Sequence, residues 1–229
     1  LLHADRNYEM KKIRNIVACM TLFVVSAWAF ADTVATVPPS ADLSYSVKAE
    51  YNGLALNGDS SIRWKASSAN YSIKNEAKVS LFGKLLEADS NGRLDAKGLI
   101  PEKYTEKRLR KAQTTTLFDY ANHIVTFRAG KTAPLNETVQ DRASIVWQLA
   151  TAAKADPNRI VPGATLTFPV AGRSKIGPWT FKVVKTDELV TPIGTIKAVE
   201  LARNDRKKQT MHVWLSPDHD WYPVQILFD

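Results

Sequence analysis

Apolar and polar residues alternate with a period of two over most of the chain, the mark of strands with one buried and one wet face. Leu43, Tyr45, Val47, Ala49 and Tyr51 alternate with Ser44, Ser46, Lys48 and Glu50. Asn52-Gly53 follows as a hairpin turn signal. Leu54, Leu56, Ile62 and Trp64 share one parity, which predicts a long second strand bent or bulged near Asn57-Gly58. Tyr71, Ile73, Ala77 and Val79 predict a third strand, and Asn91-Gly92 reads as another turn. Further strands are predicted over 100–109, 113–119, 122–128, 164–170, 178–186, 194–203, 208–215 and 222–228. Pro178, Pro192, Gly194, Pro217 and Pro223 punctuate the later ones.

One segment departs from this rhythm. Thr138 to Asp141 has the form of a capping box with a short acid in place of Glu. The run that follows, Arg142 to Ala153, is apolar on nearly every side, and a short helix of that kind is buried. The expected fold is therefore mainly β: a single strongly curved antiparallel sheet or open barrel, with one helix at about 139–153 on its concave face. A strand–helix–strand alternation is missing, which argues against a parallel α/β fold.

The N-terminal region is an address. Residues 10–31 begin with Met10, Lys11, Lys12 and Arg14, continue through an apolar run from Ile16, and end in Ala29-Phe30-Ala31. This is the pattern of a cleavable secretory signal, with cleavage expected between Ala31 and Asp32. The apolar run is short for a membrane span, which needs about 20 residues, so no stable span is expected after cleavage. Cys19 follows a weak lipobox, but the apolar run continues past it, which argues against acylation there. Residues 1–9 carry no signal logic and read as an upstream extension. Residues 32–41, DTVATVPPSA, read as a flexible lead-in, and 42–229 as a single β-rich domain.

Composition narrows the class. A chain of 229 residues with 45% hydrophobic and 24% charged residues is not collagen, a long disordered tail or a multi-span membrane protein. Cys19 is the sole cysteine, so an exported mature chain relies on its core and not on disulfides. Loss of residues 1–31 removes Arg6, Lys11, Lys12 and Arg14 with Asp5 and Glu9, lowering the formal charge from +8 to +6. Outside the cytoplasm this balance does not point to nucleic acid; it serves solubility or an anionic surface.

Catalytic signals are weak. Asp218, His219 and Asp220 form a polar knot, but neighbours on an extended chain point to opposite faces, and Ser216-Pro217-Asp218 is ordinary turn composition. His123 beside Asn122 and Asp119 reads as a solvated turn. Ser144 with His212 is a conceivable nucleophile and base without supporting context. Neither a phosphate loop, a dinucleotide fingerprint, a zinc-protease helix nor a nucleophile elbow occurs. No cofactor or metal is expected. Two basic runs, 103–111 and 203–208, read either as head-group contacts or as edge strands guarded by Lys and Arg. The tryptophans read either as core or as the lining of an apolar cavity.

The order of these features resembles an exported bacterial family, domain of unknown function 3108, over about 42–229. The resemblance rests on the early strand with Gly53 and Gly58, and on Leu99-Ile100-Pro101-Glu102-Lys103-Tyr104 before a basic strand. It continues with Asp141 and Ser144 opening the helix, Pro162-Gly163, Val213-Trp214-Leu215-Ser216, Asp218 and Pro223-Val224. It implies a β-rich periplasmic protein of a Gram-negative bacterium and carries over no catalytic residue. The layout is similar to that of periplasmic lipoprotein carriers, which hold acyl chains.

The functional expectation is a non-enzymatic periplasmic binding protein for an amphiphile or other cell-envelope component. Trp64, Trp147, Trp179 and Trp214 are the expected lining, with Lys107, Arg108 and Arg110 as head-group contacts. The alternative is an envelope assembly module that binds a protein partner through a sheet edge. A hydrolase is the third reading.

Overall fold

The computed structural model describes residues 36–51, 54–80, 82–204 and 210–228. The segments 1–9 and 10–31, Cys19, the turn signal Asn52-Gly53 and most of the basic run 203–208 lie outside the described residues. Eight strands form one antiparallel sheet in sequence order: β1 (Ala41–Tyr51), β2 (Leu54–Ala66), β3 (Asn70–Val79), β4 (Gly83–Asp95), β5 (Gly98–Arg108), β6 (Thr114–Asp119), β7 (Ile124–Thr126) and β8 (Thr132–Pro134). Five more form a second antiparallel sheet, also paired in sequence order: β9 (Thr165–Ala171), β10 (Ile176–Thr191), β11 (Gly194–Asn204), β12 (Thr210–Ser216) and β13 (Tyr222–Phe228). The helix α1 (Ser144–Ala155) stands between them in the chain. The protein is mainly β, with antiparallel sheets that do not close into a barrel and one helix among the described residues.

The helix is where the two cores meet. Trp147, with Val139 and Ala143 just before the helix, packs into the apolar face of the larger sheet beside Trp64, Ile73 and Leu99. Ile145, Leu149, Ala150 and Ala153 pack against Phe181, Val183, Leu201 and Val213 of the smaller sheet. Because both sides of the helix are covered, its sequence is apolar on most sides.

The structure departs from the pattern at three places. Asn91-Gly92 is not a turn but lies within β4, at a register shift against β5. Its inward positions include Ser90 and Gly92 beside Ala88 and Leu94, so the apolar alternation that marks a strand is blurred. At Gly58 and Gly92 a Cβ would fall 1.9 Å from the Lys78 carbonyl oxygen and 2.0 Å from that of Ile100. Glycine lets the neighbouring backbones approach at both places; at Gly92 this coincides with the register shift, whereas β2 pairs with β1 and β3 without a register shift at Gly58. The segment expected at 122–128 shortens to β7, and a further short strand that the pattern did not predict, β8, follows a turn with Ala129 and Gly130 at positive φ.

The third departure is the helix start. Gln140 is extended and bridges β9: its N–H donates to the Pro169 carbonyl at 2.9 Å, and its carbonyl accepts from Ala171 at 2.8 Å. Helical bonding begins one residue later, with Ile145 N donating to the Asp141 carbonyl. The capping box is therefore Asp141 with Ser144, not Thr138 with Asp141. Asp141 Oδ1 accepts from Ser144 N at 2.8 Å, and Ser144 Oγ accepts from Asp141 N at 2.8 Å.

Candidate functional site

The concave face is filled. Trp64 and Trp147 are 0% and 1% exposed and stack on each other with ring centres 4.3 Å apart and planes 10° from parallel. The Trp64 indole N–H donates to the Pro38 carbonyl at 2.9 Å. Trp179 sits half-buried at the rim of the smaller sheet's core, with the Arg203 guanidinium 3.8 Å from its ring centre. Trp214 stacks on His212, whose Nδ1 lies 2.6 Å from the Glu200 carboxylate. The four tryptophans thus divide between a stacked pair, a rim position and a His–Glu pair, and do not line one cavity. Two open depressions of about 410 and 400 Å³ lie on the larger sheet, one along Ser44, Ser46, Asp59 and Lys78, the other along Arg93, Glu102, Leu117 and Tyr120. Neither is lined by the helix.

The expected head-group cations do not converge. Lys107 is exposed, whereas Arg108 shares the other face of β5 with Glu106, two residues earlier. Arg108 Nε donates to Glu106 Oε1 at 2.7 Å. Arg110 is exposed beyond the strand end, at φ 56°. Glu106 is the hub of a buried network that also receives the Tyr104 hydroxyl at 2.7 Å and has Arg142 at 3.7 Å. Burial pushes the Glu106 carboxyl up, but the bonds from Arg108 and Tyr104 outweigh it and hold it below the ordinary value.

A second polar knot ties the helix start to the larger sheet. The Tyr71 hydroxyl lies 3.0 Å from Ser90 Oγ, which donates to Asp141 Oδ2 at 2.5 Å. Asp141 Oδ1 accepts from the Ala143 and Ser144 amides at 2.8 Å each. Asp141 is fully buried, and burial pushes its carboxyl up to about 6 despite these bonds. Two glutamines complete the attachment. Gln148 Oε1 accepts from Leu99 N at 2.8 Å and its amide donates to the Lys97 carbonyl at 2.9 Å, while Gln140 donates to the Leu99 carbonyl at 2.8 Å. Gly98, at φ 122°, makes room for this: a Cβ there would lie 2.3 Å from Gln148 Oε1.

Among the described residues the three histidines lie apart from one another. His123 is exposed in a turn at φ 57°, with Nδ1 3.4 Å from the Leu135 carbonyl. His219 is exposed and meets Ser216, itself buried, at 2.9 Å, while Asp220 pairs with Lys154. Ser144 is buried against Asp141, away from the Glu200 partner of His212. Among the described residues no group of three or more His, Cys, Asp or Glu is arranged to hold a metal ion, and no helix is long and apolar enough to cross a membrane.

With the interior occupied, the sheet edges are the remaining distinctive surface. β8 is three residues long and contains Pro134. The edge of β9 is covered by the Gln140 bridge. β1 carries Asp42, Lys48 and Glu50. Short length, cover and charge are the ordinary protections of an edge. Among the described strands β13 pairs only with β12, and its seven residues, Tyr-Pro-Val-Gln-Ile-Leu-Phe, include no charge. Leu227 and Phe228 are 49% and 62% exposed. At its start, the Tyr45 hydroxyl donates to the Pro223 carbonyl at 2.6 Å.

A family model described as protein of unknown function (DUF3108) matches residues 44–229. The chain belongs to the DUF3108 family. No curated protein matches it. Among solved structures, it is similar to a beta-barrel-like protein of domain of unknown function DUF1849 from Brucella abortus, at 13% identity and a TM-score of 0.49, over 85% of this chain and 92% of that one.

In this DUF3108 chain the sequence reading missed the polar attachment of the helix. Ser90, Glu106, Gln140 and Gln148 each stand at an inward position among apolar neighbours. A polar residue on the buried parity of a strand or helix is the signal that would have found them.

Proposed function

We propose that this DUF3108 protein is a non-enzymatic interaction module of the cell envelope, exported through residues 10–31 and acting in the periplasm by accepting a partner's strand along β13. The observation that carries this reading is the uncharged β13 edge, with Leu227 and Phe228 exposed at its end, on a molecule whose other described edges are short, covered or charged. Strand addition supplies main-chain hydrogen bonds for affinity, and exposed side chains such as Leu227 and Phe228 supply apolar contact. An amphiphile carrier needs an apolar cleft; the stacking of Trp64 on Trp147 and the burial of the helix on both sides speak against one.

The test places a photo-crosslinking residue at Leu227 and, separately, at Lys65 and Lys107 on the larger sheet, in cells exporting the protein. Discrete adducts from position 227, absent from the other two and lost when Gln225 is changed to Lys, support the reading. Equal labelling from all three positions, or a stoichiometric lipid in the solvent extract of the purified protein, overturns it.

A further inference from the structure

We propose that Arg108, Arg142 and Arg173 form a binding site for a phosphate-type anion, placed where the inner face of the larger sheet ends beside the turn between β9 and β10. The site is separate from the β13 edge and does not depend on it. Three elements bring the side chains together. Arg108 is the last residue of β5 and shares the inward parity of Tyr104 and Glu106. Arg142 lies in the lead-in to α1, with its Nε 3.7 Å from Glu106 Oε2. Arg173 is in the turn after β9, and the bridge between Gln140 and β9 carries it to the same place. The Gln140 carbonyl accepts from Ala171 N at 2.8 Å, and the two chains run parallel there. Arg142 and Arg173 each follow two residues beyond that bonded pair, on chains that leave it in the same direction.

What marks this cluster is a guanidinium without an acceptor. The Glu106 carboxylate is already occupied: Oε1 accepts from Arg108 Nε at 2.7 Å, and Oε2 accepts from the Tyr104 hydroxyl at 2.7 Å and from Arg108 Nη2 at 3.2 Å. Asp141, the residue before Arg142, is likewise taken by Ser90 and by the Ala143 and Ser144 amides. The Arg142 side chain is only 27% exposed, and among the described residues it donates no hydrogen bond, since 3.7 Å to Glu106 is too long for one. Burial above all pushes its guanidinium down; Glu106 opposes this, and the charges of Arg108 and Arg173 add to it. A partly desolvated cation beside two others is costly unless an anion joins it. Access is open, because Arg108 is half-buried and Arg173 is exposed at the turn. Guanidinium groups arriving from three elements suit a tetrahedral oxyanion, which offers an oxygen to each, better than a carboxylate, whose two oxygens a single fork satisfies. Lys107 is exposed on the opposite face of β5 and stands outside the site.

The experiment is calorimetric titration of the purified protein with inorganic phosphate, from about 10 µM to about 10 mM in about 0.1 M chloride, and separately with malonate, a dianion of carboxylates. Phosphate is expected to saturate a single site per chain and to bind more tightly than malonate. Arg142→Gln and Arg173→Gln are each expected to weaken phosphate binding by about tenfold or more. Lys107→Gln removes the same charge from the other face and is expected to change it by less than about twofold. Arg173 is exposed, so its variant keeps the result readable should Arg142→Gln unfold. Flotation with phosphatidylcholine vesicles carrying roughly one-fifth phosphatidic acid distinguishes the sources of the same group. Retention on these vesicles that is lost in Arg173→Gln assigns a lipid head group, and phosphate binding without retention assigns a soluble phosphate. Absence of saturable phosphate binding overturns the proposal, as do equal losses in Lys107→Gln and Arg173→Gln, or malonate binding as tightly as phosphate.

Discussion

Replacing Asp141 with Asn tests the buried polar knot quantitatively. The carboxyl is held fully out of water, and its pKa rises from 3.8 to about 6. The gap corresponds to about 3 kcal/mol, at about 1.4 kcal/mol per unit. The sign follows from proton binding. Between the two values the unfolded chain has lost this proton while the folded chain keeps it, so the site's contribution to stability falls as pH rises from about 3.8 to about 6 and is level above that. Asn is nearly isosteric and equally good at a helix N-cap. Its Oδ1 still accepts from the Ala143 and Ser144 amides, and its NH2 can donate to Ser90 Oγ, which then donates to Tyr71. Urea unfolding followed by near-ultraviolet circular dichroism from pH 4 to pH 8 separates the proteins. Relative to Asp141→Asn, the wild type loses about 3 kcal/mol between the ends of the window, or roughly 6–12 °C in Tm for a domain this size. Carboxyls held low, such as Glu106 and Asp119, act in the opposite direction in both proteins and cancel in the comparison. Two parallel stability–pH curves would refute the assignment.

Two further predictions concern packing. Gly98→Ala forces an L side chain into φ 122° and drives a methyl against the Gln148 amide; the expected loss is roughly 2–4 kcal/mol by chemical denaturation. Gly163→Ala, also at positive φ but with open space around it, should lose only about 1 kcal/mol, and equal losses would remove Gln148 from the explanation. The Trp64–Trp147 stack should give an exciton couplet in far-ultraviolet circular dichroism that disappears in either Trp→Phe variant and survives Trp214→Phe. Trp147→Ala should cost about 3–5 kcal/mol, and a Tm within a few degrees of wild type would contradict its place in the core.

Much of the fold was legible because half-buried strands leave a period-two trace. β1, β3 and the five strands of the smaller sheet appear within a few residues of where the alternation puts them. β4 was illegible because Ser90 and Gly92 occupy two of its inward positions, one to bond Asp141 and one to admit the Ile100 carbonyl. The helix was visible by its apolar run, but its capping box was misplaced by three residues, since Thr138-to-Asp141 and Asp141-to-Ser144 both carry the spacing of one and only tertiary pairing of Gln140 with β9 selects between them. The tryptophans were legible as buried residues, not as partners: Trp64 and Trp147 are 83 positions apart in sequence, and a stack between them is a property of the packed fold. The cations at 107, 108 and 110 were read as a group along the chain, whereas strand alternation turns Arg108 inward to Glu106.

The two sides of the helix do different physical work, and this bears on where binding takes place. Against the smaller sheet, contact is made by Ile145, Leu149, Ala150 and Ala153, with small residues allowing close approach. Such packing is strong but non-directional, and by itself it leaves the rotation of an all-apolar helix poorly defined. The larger sheet supplies the direction: Gln140 and Gln148 hold both the carbonyl and the amide of Leu99, and Asp141 holds Ser90. A ligand beneath the helix would have to separate the Trp64–Trp147 stack and strip these bonds from buried partners, each costing about 1–3 kcal/mol if left unmade. Strand addition at β13 breaks none of them. It satisfies main-chain groups at an edge and covers apolar side chains that are already exposed, so on energetic grounds the edge proposed above is cheaper to occupy than the filled interior.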